Sequence, residues 1–126
     1  MRKQYHFRPS KNGLYAWDVD RLIELAKGMR SKLISIDTIS ELDENYWFGG
    51  EGDIPTCRAI AEHAKLIQET DLTIPIILCS NGRIMDGMHR VCKAFTEGKV
   101  KIEVVQFAVD PRPDYEDIIS PDDLPY

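Results

Sequence analysis

Several things are missing from this chain of 126 residues, and each absence removes a class of protein. There is no long hydrophobic run: the longest, Ile74-Pro75-Ile76-Ile77-Leu78, falls far below the ~18 residues of a membrane span. The stretch Met1–Ser10 carries no apolar core of the secretory-signal type, so the reading is a cytoplasmic chain with no membrane partner. No Cys-x-x-Cys pair occurs. The three cysteines, Cys57, Cys79 and Cys92, are odd in number and widely spaced, which fits free thiols rather than a disulfide framework. His6, His63 and His89 show no ligand spacing, so no protein metal site is expected. Basic charge is short as well, with 16 Lys and Arg against 21 Asp and Glu. A net charge of −5 argues against a protein that coats nucleic acid electrostatically.

What is present is globular. Apolar residues make up 43% and charged residues 29% of the chain, enough for one core and one domain over residues 1–109. Val19, Leu22, Ile23 and Ala26 recur at helical spacing within 16–30, with Asp18 as N-cap and Gly28 near the end. Residues 32–39 alternate and are rich in β-branched side chains, which predicts a strand. A second helix is predicted over 56–70, capped by Thr56, followed by an apolar strand at 74–79. Asn81-Gly82 predicts a hairpin into a short strand at 83–85. A third helix over 87–98 ends at Gly98, and 100–109 alternates as a closing strand. The tail, 110–126, holds four prolines and six acidic residues and reads as an extended strap or a partly disordered segment. The order implies an α+β fold in which helices cover a small mixed sheet.

Two loops carry the functional signals. The first is 40–55, long for a compact domain, where Glu41, Asp43 and Glu44 precede Tyr46, Trp47 and Phe48 and three glycines. Its carboxylates read either as a solvated acidic loop or as a catalytic base. Its aromatics read either as a recognition patch or as packing onto the core. The aromatic N-terminal segment 5–17 is similarly either a binding arm or a strap over the sheet.

The second loop is Asp86-Gly87, where a strand runs straight into a helix. The first backbone N–H groups of such a helix lack intrahelical partners, and with the positive end of the helix dipole they suit an anion. Gly87 allows close approach, and His89 and Arg90 sit in the first turn. Arginine adds a fork that matches phosphate oxygens. Asp86 can cap the helix, orient His89, or hold a metal that bridges phosphates. The alternative is an ordinary capped turn with a solvated His-Arg pair.

The run Pro75–Phe107, with its Asp86-Gly87-Met88-His89-Arg90 signature, resembles the core of the ParB/sulfiredoxin superfamily. Residues 33–42 look like that family's first strand, and 56–78 like its helix leading into the second, so the resemblance spans about residues 31–108. It implies a ParB/sulfiredoxin-like fold with a phosphate-binding turn at a helix N-terminus. It also implies a nucleotide site at Gly87, Met88, His89 and Arg90, with ATP or ADP and Mg²⁺ as cofactors. The signature is closest to that of the free serine kinases of the superfamily, whose turn reads Asp-Gly-His-His-Arg and whose catalytic base is a glutamate after the first strand. Carried over by position, Glu41 is that base, with Asp43 or Glu44 as alternatives, and Asp86 and His89 complete the catalytic set.

Two departures shape the expectation. Met88 stands where sulfiredoxins have their cysteine, and Cys92 lies a helical turn further on, so sulfiredoxin chemistry is not expected. No helix-turn-helix pattern follows residue 109, so nucleic acid is not an expected partner. Two function classes remain. One is an ATP- or ADP-dependent phosphotransferase acting on a small hydroxyl-bearing substrate. The other is a nucleotide-binding regulatory or protein-interaction module, for which a homodimer is one arrangement. The acceptor, the nucleotide base and the role of Tyr46, Trp47 and Phe48 are left open at this level.

Overall fold

The computed structural model describes residues 3–50 and 52–126. In chain order they form β1 (Tyr5–Pro9), β2 (Leu14–Asp18), α1 (Val19–Ala26), β3 (Lys32–Ser35), α2 (Cys57–Glu69), β4 (Ile76–Leu78), β5 (Ile84–Asp86), α3 (Met88–Thr96), β6 (Lys101–Gln106) and β7 (Tyr115–Ile118). Short 3₁₀ turns occupy Ile36–Thr38, Ser40–Asp43 and Pro121–Asp123. The fold is mixed α+β, with two small sheets where the sequence pattern implied one.

The four-stranded sheet has the order β3-β6-β4-β5. Strands β4 and β6 are parallel, joined through β5 and α3, and the remaining pairs are antiparallel. Both faces of its centre are covered, which explains the unbroken apolar run at Ile76–Leu78. Ile76, Leu78, Ile84 and Val104 point to one core with Ile39, Met88 and Val91. Their neighbours Ile77, Cys79, Met85 and Val105 point the other way, to Trp17, Leu22 and Phe107.

The second sheet, β1-β2-β7, comes from the segments read as straps. Residues 5–9 and 14–18 pair as an antiparallel hairpin, Tyr5 opposite Asp18 and Pro9 opposite Leu14. The tail adds β7 to the free side of β2. Helix α1 begins at Val19, as the Asp18 N-cap implied: Ala16 and Trp17 before it are buried residues of β2, and Asp18 caps the helix by accepting from the Asp20 N–H at 2.9 Å. Strand β3 stops at Ser35 because the chain coils into 3₁₀ turns that drop Ile36 and Ile39 into the core. Other expectations match closely. Thr56 caps α2 through the Ala59 N–H, and Gly98, at φ 75°, ends α3 with the Lys99 N–H bonded to the Ala94 carbonyl. Among the described residues no helix is long and apolar enough to cross a membrane.

Candidate functional site

The β5–α3 turn is set by one irregularity in the sheet. Between the pairs Ile77–Asp86 and Leu78–Ile84 the register slips, leaving one extra residue on β5, and such a bulge re-aims the end of its strand. Gly87 follows at φ 117°, a conformation costly for any residue with a Cβ. A Cβ there would also lie 2.8 Å from Ile76 Cδ1 and 2.9 Å from Arg90 Nη2. Helix α3 starts at once, its first residue Met88 buried in the core as an anchor. Among the described residues no side chain caps this helix end.

Asp86 does not serve as the cap; its carboxylate accepts from Arg90 Nη2 at 3.0 Å. The same Nη2 donates to the Pro75 carbonyl at 3.2 Å, so Arg90 braces the turn from beneath. It is absent from the residues that line the adjoining cleft. Its Nε finds no hydrogen-bond partner among the described residues.

The cleft, about 820 Å³, lies between the edge strands of the two sheets. One wall is β5, Gly87, Met88 and His89, and the opposite wall is β1 with its His6 and Arg8. The Arg8 Nη1 donates to Asp110 at 3.2 Å, while its guanidinium sits 4.8 Å above the Trp17 ring. Burial and the adjacent Arg8 charge push His6 down to about 4, so this imidazole is neutral near pH 7.

Glu41 is brought to the same cleft. It lies in the Ser40–Asp43 turn and is 1% exposed, in contrast to the solvated loop that its acidic neighbours suggest. Its Oε2 accepts from the Ile84 backbone N–H at 2.6 Å, occupying the open edge of β5, and lies 3.5 Å from Arg83 Nε. Its Oε1 takes the Ser40 hydroxyl at 3.3 Å. Arg83 forks onto Glu44 at 2.6 and 2.8 Å, clamping the acidic turn to the β4–β5 hairpin. Glu44 and Asp43 stay exposed.

The aromatic loop closes one end. Trp47 stacks on His63 of α2, with centroids 4.2 Å apart, and on His89 of α3, at 4.6 Å. The two imidazoles meet, His63 Nδ1 to His89 Nε2, at 2.9 Å. Phe48 meets His63 edge-on at 5.5 Å. Trp47 and Phe48 are thus half-buried against the helices, and Tyr46 is the exposed member of the trio. Burial lowers the pKa of both histidines. His89 is lowered further by His63 and Arg90 against the opposing pull of Asp86, and Glu62 opposes the shift at His63.

Of the residues singled out by sequence, Glu41, Asp86, Gly87, Met88 and His89 gather around one cleft, while Arg90 lies behind it. Sequence reasoning missed Arg83 and His63, and it placed Trp47 in a separate recognition patch and Arg8 in an N-terminal binding arm rather than at this cleft. For His63 a signal existed: Ala59, His63 and Ile67 fall four apart on α2, and these are the residues that the helix turns inward. Among the described residues no group of three or more His, Cys, Asp or Glu gathers to hold a metal ion. A Mg²⁺ here would be carried by phosphates and met by Asp86 at most, which suits an ion that keeps much of its hydration. No family model, curated protein or solved structure matches the chain.

Proposed function

We propose that the chain binds a nucleotide through its phosphates in the cleft between β1 and the β5–α3 turn, and passes a phosphoryl group to a small hydroxyl-bearing acceptor. The observation that carries this is the uncapped start of α3, which reaches the cleft through Gly87 beside His89. Arg8 and Arg83 each already have a carboxylate partner, so the turn's main offer to an anion is backbone N–H groups and the helix dipole. The resemblance of the Asp86–Arg90 signature to ParB/sulfiredoxin-like phosphate turns supports the same reading, with ATP or ADP as donor and Mg²⁺ offsetting the charge. Catalysis would rest on positioning and charge stabilisation. Arg90 would shape the turn through Asp86 and Pro75.

One observation favours a binding module without turnover. The Glu41 carboxylate is 1% exposed and turned onto the Ile84 N–H and the Ser40 hydroxyl, so it holds the turn rather than being presented to an acceptor. The phosphotransfer reading then needs a neutral imidazole, His89, in that role.

Thermal unfolding of the wild type and of Gly87→Val with ATP, ADP and CTP, each with and without Mg²⁺, tests the site. A ligand bound only by the folded state at ~100 times its dissociation constant adds about 2.7 kcal/mol. Stabilisation of the wild type, lost in the variant, supports the phosphate site. No shift with any nucleotide sinks it. ADP formation from ATP in the presence of a hydroxyl acceptor then separates enzyme from binding module.

A further inference from the structure

His63 and His89 belong to different helices, yet their nearest ring nitrogens are 2.9 Å apart. At that separation one nitrogen carries a hydrogen and the other offers its lone pair. The tautomers are therefore coupled. With the shared hydrogen on His89 Nε2, His89 Nδ1 holds a lone pair and His63 Nε2 holds a hydrogen; moving the shared hydrogen across reverses both.

The pair also joins two cavities. His89 lines the main cleft, whereas His63 lines both the cleft and a second cavity of about 320 Å³ beside the aromatic loop. Asp53 and Glu62 are among the walls of that second cavity and offer carboxylate oxygens to a released proton. Trp47 covers both rings, at 4.2 and 4.6 Å, and limits direct access of water to the shared hydrogen. The charged groups that face the pair oppose each other: Glu62 on α2 and Asp86 before α3 favour its protonation, and Arg90 disfavours it.

We propose that His63 and His89 form a proton relay, in which His89 accepts the proton of an acceptor hydroxyl in the main cleft and His63 releases one into the second cavity. This rests on the phosphotransfer reading above. As the hydroxyl oxygen bonds to the γ-phosphorus, its proton passes to His89 Nδ1. The bond from the γ-phosphorus to the bridging oxygen breaks, and its electron pair leaves with the nucleoside diphosphate. The shared hydrogen shifts from His89 Nε2 to His63 Nδ1, and the proton on His63 Nε2 departs to water or to Glu62 or Asp53. The pair ends neutral, in the opposite tautomer. It resets when a proton re-enters at His63 Nε2 and His89 Nδ1 gives one back to the cleft. In this scheme His63 is a positioning residue that acts through His89.

The test is long-range ¹H–¹⁵N NMR of the imidazoles in the full chain, across pH, with and without ADP and Mg²⁺, for the wild type and His63→Gln. Expected in the wild type are one shared N–H and ring signals that move together on titration. ADP with Mg²⁺ should shift His89 and, through the shared hydrogen, His63. Glutamine can accept from His89 Nε2 but cannot pass a proton on. The His63→Gln chain should therefore keep ADP affinity within about twofold, leave His89 titrating alone, and lose at least tenfold in kcat for ADP formation from ATP. Rings that titrate independently in mixed tautomers, while ADP still moves His89, overturn the relay and leave the nucleotide reading standing. If ADP moves neither ring, the nucleotide reading fails and takes the relay with it. Undiminished turnover in His63→Gln also overturns it.

Discussion

Glu41 has the most acidic sequence surroundings in the site, yet it is only 1% exposed. Its neighbours Asp43 and Glu44 face water, but the 3₁₀ turn rotates Glu41 inward against Ile84. Removing its carboxylate leaves the buried Ile84 N–H unpaired, so Glu41→Ala should lower stability by about 2–3 kcal/mol in urea unfolding, and Glu41→Gln, which retains an acceptor, by clearly less. A stability equal to wild type in the alanine variant would show that water replaces the carboxylate. Trp47 is the second informative residue. Its indole desolvates the histidine pair, so Trp47→Ala should raise the pKa of His63 and His89 toward the ordinary 6.5, as read from ring chemical shifts. The burial of Glu41 was hidden in the sequence because a 3₁₀ turn has neither the helical nor the strand period that marks an inward face, whereas packing of Trp47 onto the core was one of the two readings its loop allowed.

At the scale of the element, the β5–α3 turn depends on Gly87 and on the brace beneath it. Gly87→Ala forces a Cβ into φ 117° and against Ile76, which should cost at least about 1–2 kcal/mol and lower the melting temperature. Arg90→Ala removes one partner of a largely buried ion pair, side chains 12% and 16% exposed, and should destabilise by about 3 kcal/mol. If Arg90→Ala instead melts like wild type and loses nucleotide stabilisation alone, Arg90 contacts the ligand directly. The turn itself was legible: a strand, Asp-Gly and a helix follow one another in sequence as they do in space. The direction of Arg90 was not, because a first-turn arginine can reach either out to an anion or back to Asp86, and only the position of the Pro75 carbonyl selects the second.

At the scale of the molecule, the tail and the N-terminal hairpin stabilise each other. Asp110 receives Arg8 and the Ser80 N–H, the Trp17 indole donates to the Pro111 carbonyl at 2.8 Å, and β7 extends the sheet of β1 and β2. Ending the chain at Asp110 should therefore loosen β1, one wall of the cleft, and speed hydrogen exchange at Tyr5–Pro9 more than at β4; equal exchange at both would contradict this. Stability should also depend on pH in a defined sense. His6 falls to about 4 when folded against 6.5 unfolded, and His63 and His89 are lowered too. The unfolded chain binds more protons in that range, so the contribution is complete above about pH 6.5 and is lost as pH falls toward 4. Urea midpoints at pH 7 and pH 4.5 should differ in that direction, and His6→Phe should reduce the difference.

Local physics in the sequence determined the three helices with two of their N-caps, the Asn81-Gly82 hairpin, the apolar centre of the main sheet and the strand-to-helix turn at Gly87. Each of these rests on interactions between residues close along the chain or on one repeating period. Tertiary structure alone decided that residues 5–18 and the tail build a second sheet, that Glu41 is buried on the edge of β5, that Arg90 faces away from the cleft, and that His63 meets His89. Those outcomes join positions from 15 to more than 100 residues apart, and a linear pattern carries no information on which distant partners meet.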